Sequence, residues 1–305
     1  MCDRISYIYA YFNNFLVNSL SVTSNTGQNT NMPNTLYTFR LSPFARLTEL
    51  AAKIYEVDTE VAEINLTNLE HMTPEYIKIH PKHQVPAFSD NGKIVIESAD
   101  IVRYFEKNFN KTPAENDHWY PSDAEKRSKV DEEFVWIGKN AGIMAVTCLA
   151  PVFGVNGSPW RNKMGIAAVK ASQKMKKQFV RQDFLDALKA GTDALTSKNV
   201  AEVEDLSLGD VLTWFVLSMP VFMLKDDEDV ARIVGKDTGF YRVFEALQKV
   251  AGFNDIHARF MMLVNQLNQV KDDAVKDKCC QTPGEIMKTI KLVMFFKKHG
   301  IELPK

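Results

Sequence analysis

The pattern of apolar and polar positions changes character twice along the chain. Residues 21–34 (SVTSNTGQNTNMPN) are polar and rich in Asn and Thr, so they cannot bury enough surface to offset the entropy of ordering. Residues 1–34 therefore read as a flexible leader. From Thr35 the pattern alternates between short apolar runs and helical spacing. A strand over Leu36–Phe39 precedes Ser42-Pro43, and Leu47, Leu50, Ala51 and Ile54 then recur at helical intervals. Serine before proline is a helix start, because the hydroxyl caps an orphan N–H and proline's fixed φ suits the first turn. A second strand over Val57–Ile64 and a helical turn around Pro74–Ile79 follow. Val85–Phe88 and Ile94–Ile96 flank Asp90-Asn91-Gly92, a hairpin signal, and a helix over Ser98–Asn108 closes the unit. The order β-α-β, hairpin, α is that of a thioredoxin-like domain, placed at residues 35–111.

Residues 112–121, bounded by Pro113 and Pro121, read as a linker. Beyond them only the helical period remains. Ser122-Asp123-Ala124-Glu125 has the form of a capping box opening a helix that runs through Trp136 towards Cys148. Helical spacing returns over residues 161–195, 211–224, 240–250 and 258–270. The fold class is thus an α/β thioredoxin-like N-terminal domain followed by an all-α helical domain over 122–264. A C-terminal extension over 265–305 carries one more amphipathic helix, Pro283–His299, striped with Ile286, Ile290, Val293 and Met294.

Composition narrows the function by exclusion. The chain of 305 residues has 37 basic and 38 acidic side chains, which leaves no electrostatic footprint for nucleic acid or an anionic membrane. Residues 211–224 are too short for a membrane span and read as a buried core helix. Asp3, Asn13, Asn14 and Asn18 spoil the faint signal-peptide pattern of Ile5–Val22. Cys2, Cys148 and Cys279-Cys280 offer no C-x-x-C pair for zinc or dithiol chemistry and read as reduced thiols, so a cytoplasmic location is expected.

Two local motifs invite chemistry. Ser207-Leu208-Gly209-Asp210 is a capping box with Leu206 and Val211 at staple positions, and its role is to start a buried helix. Ser42 is a plain N-cap on its own spacing. Its other reading needs the neighbouring motifs.

Those motifs are residues 36–46 (LYTFRLSPFAR), 80–88 (HPKHQVPAF) and 96–101 (IESADI), followed by 119–123 (WYPSD) with Arg127, Val130-Asp131-Glu132 and the Ser207–Asp210 box. In order and spacing they resemble the cytosolic glutathione transferases, theta class in particular, over about residues 35–264. The resemblance implies glutathione transferase architecture and glutathione as co-substrate, with no metal and no other cofactor. It makes Ser42 the residue that stabilises the glutathione thiolate. Val85-Pro86 becomes a cis-proline turn that pairs with the peptide backbone, and Glu97 and Ser98 grip the γ-glutamyl end. His71 and Gln84 fall where the family holds the glycyl carboxylate, although Gln84 replaces a lysine there and loses its charge. His80 and His83 read as surface residues, and Phe44 and Trp136 as contributors to the wall that selects a small hydrophobic electrophile. A homodimer is also implied. The C-terminal helix either covers the electrophile pocket or packs outside the helical domain.

The implied activity is conjugation of glutathione to small electrophiles in detoxification. The alternative is a non-catalytic binding or scaffold module of the same fold, such as an elongation-factor-gamma-like protein. A thiol-disulfide reductase of this fold would need a cysteine where Ser42 stands.

Overall fold

In a computed structural model the described residues are 34–66, 70–153 and 181–276. The leader expected at 1–34, apart from Asn34, and the helix expected over Pro283–His299 lie outside them.

The first domain is a four-stranded sheet of order β2-β1-β3-β4, built from β1 Thr35–Thr38, β2 Glu60–Glu63, β3 Ala87–Asp90 and β4 Lys93–Ile96. β1 and β2 are parallel, and the other two pairings are antiparallel. Two 12-residue helices, α1 Pro43–Ile54 and α3 Ser98–Phe109, cover one face. Leu36, Phe88 and Val95 share that face by register, and Leu36 and Phe88 are fully buried with Leu47, Leu50, Ile101 and Phe105. The period of two in the strands and of 3.6 in the helices thus meet in a single apolar layer. On the other face the short α2, Pro74–Ile79, brings Tyr76 into edge contact with Tyr37. Asn91 and Gly92 take positive φ in the β3–β4 turn, as the Asn-Gly signal implies.

After the single helical turn α4, Pro113–Asn116, comes the helical region. It comprises α5 Ala124–Phe153, α6 Arg181–Ser197, α7 Leu208–Met223, α8 Glu228–Ile233, α9 Gly239–Leu247 and α10 Phe253–Lys276. α7 is the axis, with residues 208–220 all buried. Its Trp214 lies among Phe240, Phe244 and Phe253 and donates its indole N–H to the Phe240 carbonyl at 3.0 Å. The Ser207 capping box forms as its spacing implies: Ser207 Oγ accepts from Asp210 N, and Asp210 Oδ2 accepts from Ser207 N. Lys198 then bridges Asp210 and Glu133, each at 2.6 Å. Among the described residues no helix is long and apolar enough to cross a membrane.

Several local expectations shift. The cap of α5 is Asp123 rather than Ser122: Asp123 Oδ1 accepts from Lys126 N, while Ser122 N donates to Asp117. α10 begins five residues before the spacing at Ala258 suggests, and α8, capped by Asp227, is too short for periodicity to reveal. Of the helix expected over 161–195, only 181 onward is described.

A buried arginine ties the two halves. Arg46 of α1 is fully buried, donates to Ser218 Oγ at 3.1 Å and Phe215 O at 2.8 Å, and lies over the rings of Phe215 and Phe260. Burial pulls its guanidinium down to about 9 while Glu49 opposes the shift. Glu49, also buried, pairs in turn with Arg259 of α10.

Candidate active site

The register fixes where the candidate residues meet. Tyr37 of β1, Ala87 of β3 and Ile96 of β4 stand side by side across the sheet. β1 leaves this row towards Ser42, β3 enters it from Val85-Pro86, and β4 leaves it towards Glu97 and Ser98. Neighbouring strands lie about 5 Å apart, so three segments distant in sequence share one end of the sheet.

Ser42 is the N-cap of α1, with its backbone extended at φ −70° and ψ 119°. Its Oγ accepts from Ala45 N at 3.3 Å, so the capping reading is realised. A hydroxyl that accepts still has its proton to donate, and the open N–H groups and dipole of the helix favour negative charge at that point. Ser42 is half-buried rather than enclosed.

The Val85–Pro86 bond is cis. Pro86 is buried, and Val85, half-buried, lies just outside the ladder that begins at Ala87. Glu97 precedes α3 with φ 69°, and no side-chain hydrogen bond caps the helix. The Glu97 side chain therefore does not cap the first N–H groups of α3. Glu97 is engaged instead by Lys82, whose Nζ is 2.6 Å from Glu97 Oε1.

His71 and Gln84 reach the same end by another route. Ile64 N donates to Thr38 O at 2.7 Å, which continues the β1–β2 pairing, and the chain then runs through a 3₁₀ turn at Glu70–Met72. His83 Nδ1 lies 3.2 Å from the carbonyl of His71 and ties this turn to the segment before the cis proline. The carbonyl of Gln84 accepts from the Tyr76 hydroxyl at 2.6 Å. Burial, with His83 adding to it, holds His71 down to about 4, so it is neutral near pH 7 and can offer an N–H but no charge.

Two histidines expected at the surface lie deeper than their sequence context implies. His80 is buried at 1% exposure, because it closes α2 with its N–H on the Tyr76 carbonyl; burial, opposed by Glu97, brings it to about 4. His83 is half-buried and hydrogen-bonded in the turn, with φ 55°. Neither is a solvated surface residue. Trp136 also moves away from its expected role, since its ring faces Gly191 of α6 inside the helical domain. Phe44 is half-buried and packs against the main core.

The segment between β1 and α1 enters a buried apolar cluster that the sequence did not single out. Phe39 and Leu41 pack with Cys148, Met219, Met223 and Phe260, and Val85 and Leu149 lie against the cluster. Along α5 and α7 these positions follow ordinary helical spacing, which does not separate a pocket wall from a core.

Residues 32–107 match the family described as the glutathione S-transferase N-terminal domain. The chain is 26% identical over 262 residues to glutathione S-transferase T3 of Arabidopsis thaliana, covering 84% of this chain and 41% of that protein. It is 28% identical to glutathione S-transferase T1 of the same plant, over 65% of this chain and 76% of that protein. It is 33% identical to rat glutathione S-transferase theta-1 over 33% of this chain and 40% of that protein. The chain thus spans about two fifths of the length of T3 and of theta-1. Human glutathione-S-transferase T1-1 in its apo form superposes with a TM-score of 0.54 at 20% identity, over 86% of this chain and 98% of that one. A glutathione transferase homolog from Drosophila mojavensis with bound glutathione gives 0.56 at 20% identity, over 79% and 97%. These likenesses establish the fold.

Proposed function

We propose that this protein, whose N-terminal domain belongs to the glutathione S-transferase family, is a theta-like glutathione transferase. The row Tyr37–Ala87–Ile96 supports this most strongly, because it gathers Ser42, Val85-Pro86 and Glu97-Ser98 at one end of the sheet. Glutathione lies along that end as an added strand-like segment. Val85 pairs with its backbone, the open α3 N-terminus with Ser98 receives the γ-glutamyl carboxylate, and Glu97 receives the ammonium. His71 and Gln84 attend the glycyl end through neutral hydrogen bonds.

The chemistry is thiolate formation followed by transfer. A free thiol of pKa about 8.5 is only a few per cent ionised near neutral pH, and lowering it by about two units takes roughly 2.7 kcal/mol of preferential thiolate stabilisation. The Ser42 hydroxyl donates to the sulfur, and the α1 dipole reinforces it. The thiol proton leaves to solvent. The thiolate then forms a C–S bond to an electrophilic carbon, and the leaving group departs with the bonding pair; an activated double bond instead takes up a proton. The protein contributes placement and charge stabilisation. The electrophile is small and apolar, held against the half-buried side chains of Val85 and Leu149. The work is detoxification in the cytoplasm, by a homodimer whose mass in light scattering is twice that of the chain; a monomer at micromolar concentration contradicts the assembly.

Gln84, uncharged where the resembled family has a lysine, favours a second reading, a binding module with weak or no turnover. Titration of glutathione bound to the protein, with and without Ser42, separates the two. A thiol ionising well below its free value supports the transferase, and an unshifted thiol supports the module.

A further inference from the structure

Ser42 is the last residue of a four-residue turn in which its N–H donates to the Phe39 carbonyl at 2.8 Å. Three side chains hold that turn. Phe39 and Leu41, 5% and 3% exposed, are seated in the apolar cluster shared with the helical domain. Arg40, between them, reaches Glu63 at the end of β2. Its Nε lies 2.6 Å from Glu63 Oε1, and its Nη2 makes a second, shorter contact with Oε2. The pair is therefore bidentate, the geometry in which an arginine fixes direction as well as distance.

Glu63 is itself firmly placed. It is the register partner of Thr38, and the next residue, Ile64, donates to the Thr38 carbonyl. Ladder and ion pair thus brace one short stretch of β1 and its turn from the β2 side. The two side chains are about 30% exposed (28% and 30%), so the pair is partly shielded. Its charges cancel locally, which limits any direct Coulombic effect on a sulfur nearby.

We infer that the Arg40–Glu63 pair is a positioning clamp: it fixes the Phe39–Ser42 turn and so aims the Ser42 hydroxyl at the glutathione sulfur. The inference rests on the proposed role of Ser42 and deepens it. Arg40 touches neither substrate nor reacting atom in this account. Its effect passes through the backbone, and it matters because hydrogen-bond strength falls steeply as the donor angle opens.

The test uses the full chain with Arg40→Gln, Glu63→Gln, both together, and the swap Arg40→Glu with Glu63→Arg. Two readouts are taken on each: amide hydrogen exchange over residues 39–45, and the pH midpoint of thiolate absorbance in the glutathione complex. The clamp predicts faster exchange in both single variants. It also predicts that both midpoints rise by about half a unit, roughly a threefold fall in the ionisation constant of the bound thiol. The double variant should be no worse than either single one, and the swap should recover part of the loss. Shifts of opposite sign in the two single variants would mean direct charge rather than positioning, and overturn the inference. Unchanged exchange in both overturns it whatever the activity. A depressed midpoint in the unmodified protein that neither variant moves defeats the clamp alone. No depression in the unmodified protein removes the proposed function, and the aiming of Ser42 with it.

Discussion

Lys82 and Glu97 close on each other over the sheet end, Nζ to Oε1 at 2.6 Å, each with about half of its side chain exposed. Exposed pairs of this kind contribute about 0.2–1 kcal/mol. In the proposed site the same carboxylate serves the glutathione ammonium, so Lys82 competes with the substrate. Lys82→Met should lower the KM for glutathione by about twofold to fivefold and leave kcat nearly unchanged. The gain should shrink as salt is raised. A KM that rises would instead make Lys82 part of the binding surface.

The first domain was legible in the sequence because its signals are local. Ser42-Pro43 starts a helix, Asn91-Gly92 turns a hairpin, and alternation places Leu36 and Phe88 on the buried face. The gathering of Ser42, Val85 and Glu97 was expected only through the family resemblance, since no spacing rule joins residues that meet through the register of three strands. His80 and His83 were misread for a related reason. A histidine between a proline and lysines has the composition of a surface loop, and only the turn that closes α2 drives His80 inward. The Arg40–Glu63 pair and the Leu41–Cys148 cluster are likewise products of tertiary approach.

Two glycines mark close approaches that tolerate a side chain to different degrees. A Cβ on Gly209 would stand 1.7 Å from Glu133 Oε2, the end of a side chain that can swing away at the cost of its bridge to Lys198. A Cβ on Gly239 would stand 2.2 Å from the backbone carbon of Leu195, which cannot move without shifting the end of α6. Gly239→Ala should therefore be the more damaging, by roughly 3 kcal/mol or more, against about 1–2 kcal/mol for Gly209→Ala. Urea unfolding of the two variants checks the order. Adding Glu133→Ala should relieve part of the second loss and none of the first.

Acid should weaken the fold through His80. Burial holds its folded pKa at about 4, below the value of about 6.5 that it regains on unfolding. Between those values the unfolded chain binds a proton that the folded chain does not, so stability falls as pH falls from about 6.5 to about 4 and then levels off for this group. His80 is 1% exposed, and its share is on the order of 3 kcal/mol. Urea midpoints measured across that range should show a shallower slope for His80→Asn than for the unmodified protein. His71 and His257, also held down to about 4 by burial, add slope of the same sign and remain in the variant.

In the proposed mechanism the Ser42 hydroxyl at the start of α1 stabilises a glutathione thiolate. Thiolate absorbance of the glutathione complex, followed against pH for the unmodified protein and for Ser42→Ala, tests it most directly. The midpoint should lie about two units below that of the free thiol and return most of the way in Ser42→Ala. Glutathione should still bind that variant within a few-fold, because Val85, Glu97 and Ser98 hold the peptide away from the sulfur. An unshifted midpoint in the unmodified protein, or a depressed midpoint that survives the loss of the hydroxyl, would contradict it.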